Sequence, residues 1–276
     1  MRTFALDEIE VKWLVLLLLA AGAGAALWYF WDDINPPPEP AAIVDSIPAE
    51  EEPQPREPLH PIDPLSLTPA EGELVELPPL DKSDSYFALA LIDVFGNDLA
   101  DLLDDEGLID KSAATIDNLT RGHVAEKIRP VGRIQGTFVV AAARANGPYY
   151  LSPDNYGRYD FLVNMLTGAN LDELTATYRR FYPLIQEAYT RLGYPDSYFN
   201  DRVVAVIDHL LATPAPEEPI QLVRPHVLYE FADPDLEALS SGQKLLLRMG
   251  SDHAARVKSV LAELRNRVAQ TTGQKP

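Results

Sequence analysis

The sequence predicts a mainly α-helical protein: a compact multi-helix domain with a small β hairpin, preceded by one transmembrane helix and a proline-rich disordered linker. Three observations support this prediction. Residues 13–31 carry no charge, residues 32–80 are rich in proline and acid, and from residue 81 onward apolar residues recur at helical spacing. The predicted organisation is therefore a short tail at 1–12, a transmembrane helix at 13–31, a linker at 32–80 and a folded domain at 81–276.

The uncharged stretch is long enough to cross a lipid bilayer. It runs from Trp13 to Trp31, and a helix of this length matches a hydrocarbon core of about 30 Å. The nearby positive residues, Arg2 and Lys12, lie only on the N-terminal side, so the positive-inside rule keeps the N-terminus in the cytoplasm. We predict a single-pass protein of the inner (cytoplasmic) membrane, which contacts the bilayer through residues 13–31 and places its C-terminal domain in the periplasm.

A cleavable signal peptide is the alternative, because the run AGAGA offers small residues at plausible cleavage positions. Two features oppose it. The bulky run LWYFW would follow the cut, and the N-terminal region carries three acids, Asp7, Glu8 and Glu10. The sequence therefore favours the uncleaved anchor.

The linker is defined by its composition. Residues 32–80 contain 13 of the 24 prolines and 12 acidic residues against one basic residue, Arg56. Proline has no N–H to donate and fixes φ, so these runs cannot form a helix or a central strand. We expect an extended spacer, with a proline-rich docking segment around residues 36–40 as the alternative.

Composition also excludes some classes of function. The net charge of −19 disfavours nucleic acid as a partner, because phosphate binding needs a basic surface. The absence of cysteine excludes disulfides and thiolate metal sites.

Local signals place the elements of the folded domain. Asn170 is a predicted N-cap of the longest helix, and Ser240 with Gln243 has the spacing of a capping box. Asn146-Gly147 between two apolar runs predicts a β hairpin. The segment PIQLVRPHVLYEF reads as extended because Pro225 restricts the residue before it.

Several long phrases resemble a known family. YPLIQEAYTRLGYP, FNDRVVAVIDHLLATP and LVRPHVLYEFADPDLEALSSGQKLLLRMG, together with the anchor-plus-proline layout, resemble the bacterial family catalogued as domain of unknown function 3014. The resemblance covers about residues 78–270. It implies an N-terminal membrane segment and an exported domain in Gram-negative bacteria, and it brings no known activity, cofactor or catalytic residue.

The stretch from Phe199 to Leu211 reads as a helix with one polar side. Asp201, Arg202 and Asp208 fall away from the apolar stripe, whereas Asn200 falls within it, so we expect Asn200 to be buried and bonded to backbone. Asp201 and Asp208 are about 10.5 Å apart along the axis, too far to share one metal ion. The polar side is expected to face solvent unless another element covers it. In that case Arg179 and Arg180 are candidate ion-pair partners for the two aspartates.

The preferred hypothesis is a membrane-anchored cell-envelope binding or scaffold protein whose partner is an envelope protein or peptidoglycan. The alternative is a periplasmic enzyme that acts on cell-wall glycan or peptide through carboxylates such as Asp160, Asp201 or Asp208. No catalytic residue, metal site or cofactor is predicted. The candidate binding residues combine tyrosine with charged side chains, a composition typical of binding surfaces; they are Arg158, Asp160, Arg179, Tyr182, Asp201, Arg202 and Asp208.

Overall fold

The computed structural model describes residues 57–64, 76–104, 106–132, 136–142 and 148–269. The predicted transmembrane helix, most of the predicted linker and the Asn146-Gly147 turn lie outside these ranges. Among the described residues, none of the helices combines the length and the apolar character that crossing a membrane would require.

The domain is mainly helical, as predicted. In the described ranges the α-helices are α1 (Asp84–Phe95), α2 (Leu108–Asn118), α3 (Asp160–Gly168), α4 (Leu171–Arg191), α5 (Phe199–Leu211), α6 (Pro234–Glu237), α7 (Ser241–Arg248) and α8 (Ser251–Val268). Short 3-10 helices occupy Leu80–Lys82, Asn97–Leu102, Glu126–Ile128 and Pro153–Tyr159.

The predicted helix caps are confirmed. The Asn170 side chain accepts hydrogen bonds from the backbone N–H groups of Asp172 and Glu173 at the start of α4. Ser240 and Gln243 form the reciprocal capping box at the start of α7. These side chains satisfy N–H groups that have no partner within the helix.

The β structure is larger than the predicted hairpin. Strands β1 (Val140–Ala142) and β2 (Tyr149–Leu151) pair antiparallel as expected. β3 (Gln221–Val223) and β4 (Glu230–Phe231) extend the sheet in the order β1-β2-β3-β4. Both added strands come from the segment predicted to be extended, and they are too short to show the alternation that marks a strand in sequence.

Four apolar clusters form the core of the described residues. The first joins α1, α2, α4 and the start of α5, where the rings of Phe87 and Phe181 have centroids 5.0 Å apart. The second joins α3, α5, α7 and α8, and the third packs the inner face of the sheet through Leu222 and Phe231 against α6 and α7. The fourth packs α5 against the end of α8. Helix α5 therefore lies at the centre of the domain, with neighbours along both sides.

Gly242 marks the closest approach between α7 and its neighbours, and replacing it tests this packing. A Cβ at Gly242 would lie 2.6 Å from Leu210 Cδ2 and 2.9 Å from the Leu119 carbonyl oxygen. The leucine tip can shift, but the Leu119 oxygen is held by the Gly242 N–H at 3.0 Å. We expect Gly242→Ala to lower the free energy of unfolding by about 1–3 kcal/mol through overpacking, measured by urea denaturation.

Gly168→Ala is the matched control. Nothing lies within 4 Å of a Cβ at Gly168, and alanine favours a helix over glycine by up to about 1 kcal/mol. We expect this variant to be as stable as the wild type or slightly more stable. If Gly242→Ala and Gly168→Ala lowered the free energy of unfolding equally, the result would contradict the close approach at Gly242.

Candidate functional site

The predicted binding residues are distributed over separate places in the domain. Most of them make hydrogen bonds or ion pairs with other parts of the chain.

Arg202 forms an ion pair with the more deeply buried Asp117. Its Nε lies 2.8 Å from Oδ1 of Asp117 on α2, and its guanidinium also donates to the Asp117 carbonyl and to Thr120 Oγ1. The Asp117 carboxylate further accepts from Arg121 Nη2 at 2.9 Å and from the Tyr194 hydroxyl at 3.2 Å. With three side-chain donors, the Asp117 carboxylate joins α2 to α5 structurally.

Asp208 is paired with α8. Arg265 donates from Nε and Nη2 to the two carboxylate oxygens, the second at 3.0 Å. This bidentate hydrogen bond lowers the pKa of Asp208 below its ordinary value. The expected pairing of Arg179 and Arg180 with Asp201 and Asp208 is wrong for Asp208, because α8 rather than α4 lies opposite it.

Asp201 and Arg179 bind backbone groups of residues 57–64. Asp201 accepts from the N–H groups of Leu59 and His60, at 3.0 and 2.7 Å. Arg179 Nε donates to the Asp63 carbonyl at 2.9 Å. Residues 57–64, which belong to the predicted linker, therefore cover Asp201 on the polar side of α5.

Tyr182 lies on the inner side of α4. Its hydroxyl donates to Gln186 Oε1 at 3.1 Å. Burial raises the pKa of Tyr182 to about 12, so the hydroxyl stays protonated and a donor near neutral pH. This tyrosine belongs to the core rather than to an exposed binding surface.

Asp160 lines a cavity of about 290 Å³ at the N-terminus of α8, together with Tyr156, Glu218, Asp252 and His253. Its Oδ1 lies 3.0 Å from His253 Nε2, and His253 Nδ1 lies 3.1 Å from the Met249 carbonyl oxygen. Both ring nitrogens thus lie within hydrogen-bonding distance of an acceptor.

Glu218 is also engaged at this cavity, because it accepts from the Ser251 N–H at 2.9 Å. Burial, with the adjacent Glu218 carboxylate, raises the pKa of Tyr156 to about 12. Nearby, Arg158 donates to the Gly136 carbonyl at 3.1 Å. Among the described residues, no group of three or more His, Asp or Glu side chains is placed to hold a metal ion.

An exposed apolar surface lies at the end of the sheet, and we call it the sheet-tip patch. Val227 and Leu228, between β3 and β4, are 77% and 75% exposed. Behind them the ring of Tyr229 contacts those of Phe138 and Tyr149, with centroids 6.0 and 5.3 Å away. The patch consists of Phe138, Tyr149, Arg224, Val227, Leu228 and Tyr229.

The sheet-tip patch is held in place by the sheet and the core. Tyr149 pairs with Leu222, and Tyr229 packs against the same core cluster as Leu222, so the patch continues the inner face of the sheet outward. The Arg224 guanidinium lies 5.3 Å from the Tyr229 ring centroid, and its Nε donates to the Val227 carbonyl. The sequence signal was the dipeptide Val227-Leu228 between Pro225 and a strand, where a turn is usually polar.

The fold defines a small helical domain with one antiparallel sheet packed against its last helices. A family model described as "Protein of unknown function (DUF3014)" matches residues 108–265, and the chain belongs to this family. Neither the curated proteins nor the solved structures contain a significant match to the chain.

Proposed function

We propose that the protein is a single-pass, membrane-anchored binding or scaffold protein of the cell envelope. In this proposal residues 13–31 cross the inner membrane, the N-terminus is cytoplasmic and the helical domain binds an envelope protein in the periplasm. The observation that carries the binding role is the sheet-tip patch. Exposed apolar side chains that are backed by aromatic rings and an arginine have the composition of the centre of a protein interface.

The state of the carboxylates supports binding rather than catalysis. Asp201 and Asp208, two of the three carboxylates considered for catalysis, each accept two hydrogen bonds from other parts of the chain. A general acid or base needs a free position next to the substrate. These two aspartates instead bind other segments of the chain.

The partner is tested by crosslinking cells that carry tagged full-length protein. We expect one dominant envelope protein to co-purify with the wild type. We expect the double variant Val227→Ser/Leu228→Ser to reduce its recovery at least tenfold, because such apolar anchors each contribute about 1–2 kcal/mol to binding.

Leu89→Ser is the matched control, because Leu89 is another exposed leucine, on α1 outside the sheet-tip patch. Recovery should be unchanged in this variant. Equal recovery from all three proteins would refute binding through the sheet-tip patch. Retention of the protein on purified sacculi, lost in the double variant, would identify peptidoglycan as the partner instead.

The enzyme alternative now depends on Asp160, because this aspartate lines a cavity and the other two bind other segments of the chain. Incubation of purified sacculi with the protein tests it directly. Turnover that is abolished by Asp160→Asn would support a periplasmic enzyme acting on glycan or peptide. Absence of any turnover of the sacculi at high protein concentration would refute the enzyme alternative and leave the binding role as the proposal.

A further inference from the structure

Residues 57–64, which we call the docked segment, lie on the surface formed by α4, α5 and the end of α8. The two oxygens of Asp201 accept from two consecutive backbone N–H groups, those of Leu59 and His60. Asp201 stands in the first turn of α5, where the helix dipole also favours a carboxylate. One side chain therefore fixes the direction of the docked segment.

Two further side chains donate hydrogen bonds to backbone carbonyl groups of the docked segment. Asn200 Nδ2 donates to the His60 carbonyl at 2.8 Å, and Arg179 Nε donates to the Asp63 carbonyl at 2.9 Å. All four hydrogen bonds join a domain side chain to the main chain of the docked segment, which donates two of them and accepts two. Such a site recognises an extended backbone first and its side chains second.

Ile62 supplies an apolar side-chain contact of the docked segment. It packs against the core cluster of α1, α2 and α4, whereas Leu59 is exposed. Proline occupies positions 58, 61 and 64, which restricts φ and lowers the entropy lost on docking. The docked segment thus combines a stiff backbone with an apolar anchor.

We propose that Arg179, Asn200 and Asp201 form a peptide-binding site for an extended, proline-flanked segment. Residues 57–64 of the same chain are its resident ligand, released and rebound while the helical domain stays folded. The small set of contacts supports release without global unfolding, because regions with few buried apolar contacts open with free energies far below that of the whole domain. This proposal does not depend on the membrane anchor or on the sheet-tip patch.

Hydrogen exchange on the full-length protein in detergent tests the hydrogen bonds to Asp201. In the wild type we expect the amides of Leu59 and His60 to exchange about 10- to 100-fold more slowly than in unstructured chain, the range set by hydrogen bonds to a charged acceptor. Asp201→Ala should remove this protection and leave the amides of α8 unchanged. Asp196→Ala, an exposed aspartate in the loop before α5, is the control and should retain it.

Release is tested by the wild-type exchange itself. Under the proposal, the amides of Leu59 and His60 exchange faster than those in the middle of α8. Exchange of both regions at one common rate, at all denaturant concentrations, would show that the docked segment opens only with the core and would overturn the proposal.

Binding in trans is tested with a labelled synthetic peptide of residues 55–66. Full-length Ile62→Ser should release its own segment and bind the peptide saturably, whereas Leu59→Ser should keep its segment and exclude the peptide. Adding Asp201→Ala to Ile62→Ser should weaken peptide binding at least tenfold. Absence of peptide binding to a folded Ile62→Ser protein would also overturn the proposal.

Discussion

Asn200→Ala is expected to lower the free energy of unfolding by about 3 kcal/mol, because it leaves several buried polar groups without partners. Asn200 is fully buried. Its Nδ2 donates to the carbonyl oxygens of His60 and Val268, each at 2.8 Å, and its Oδ1 accepts from the Tyr178 hydroxyl at 3.1 Å. Burial raises the pKa of Tyr178 well above its ordinary value, so this hydroxyl stays protonated and needs its acceptor.

The loss is measured by urea denaturation of the purified protein, followed by circular dichroism. Asn164→Ala is the control, because Asn164 is exposed and accepts one hydrogen bond, from Arg256 at 2.8 Å. We expect its cost to stay below about 0.5 kcal/mol, as for most surface substitutions. A cost for Asn200→Ala as small as that of the control would mean that the three contacts do not hold in solution.

Arg202→Ala is expected to cost about 3 kcal/mol of unfolding free energy. The Asp117 side chain is only 6% exposed, and removing one partner of a buried ion pair leaves its charge poorly compensated. Arg121 remains as a second donor, so we expect destabilisation rather than complete loss of folding. Thermal and urea denaturation both measure the effect.

Arg265→Ala is the matched control for this ion pair. It removes the arginine that pairs with Asp208 on α5, but the Asp208 side chain is 47% exposed. Surface ion pairs contribute about 0–1 kcal/mol because water screens them. If Arg265→Ala lowered the free energy of unfolding more than Arg202→Ala, the result would contradict the prediction that the buried ion pair contributes more to stability than the exposed one.

The sequence predicted features that depend on neighbouring residues. Asn170, Ser240 and Gln243 cap helices through contacts within three residues, and the burial of Asn200 followed from its place in the apolar stripe of α5. The prediction that Asn200 bonds backbone is also confirmed. Helical periodicity and capping are local properties, so one sequence is enough to find them.

Features that depend on distant pairing could not be predicted. Arg202 meets Asp117 across 85 positions of sequence, and Asp201 meets His60 across 141. The helical wheel placed both residues of α5 on a polar side, but it cannot show that α2 and the docked segment cover that side. The sheet-tip patch was missed for the same reason, because the exposure of Val227 and Leu228 follows from how β3 and β4 pack.

The double hydrogen bond of Asn200 has a mechanical consequence. The Asn200 side chain joins His60 of the docked segment to Val268 at the end of α8. A force that pulls these two segments apart loads the two hydrogen bonds in series, so opening either bond breaks the connection. If the domain is anchored as proposed, tension along the tether should peel residues 57–64 from α5 first. The force would then reach the helical core only after the hydrogen bonds to residues 57–64 had broken.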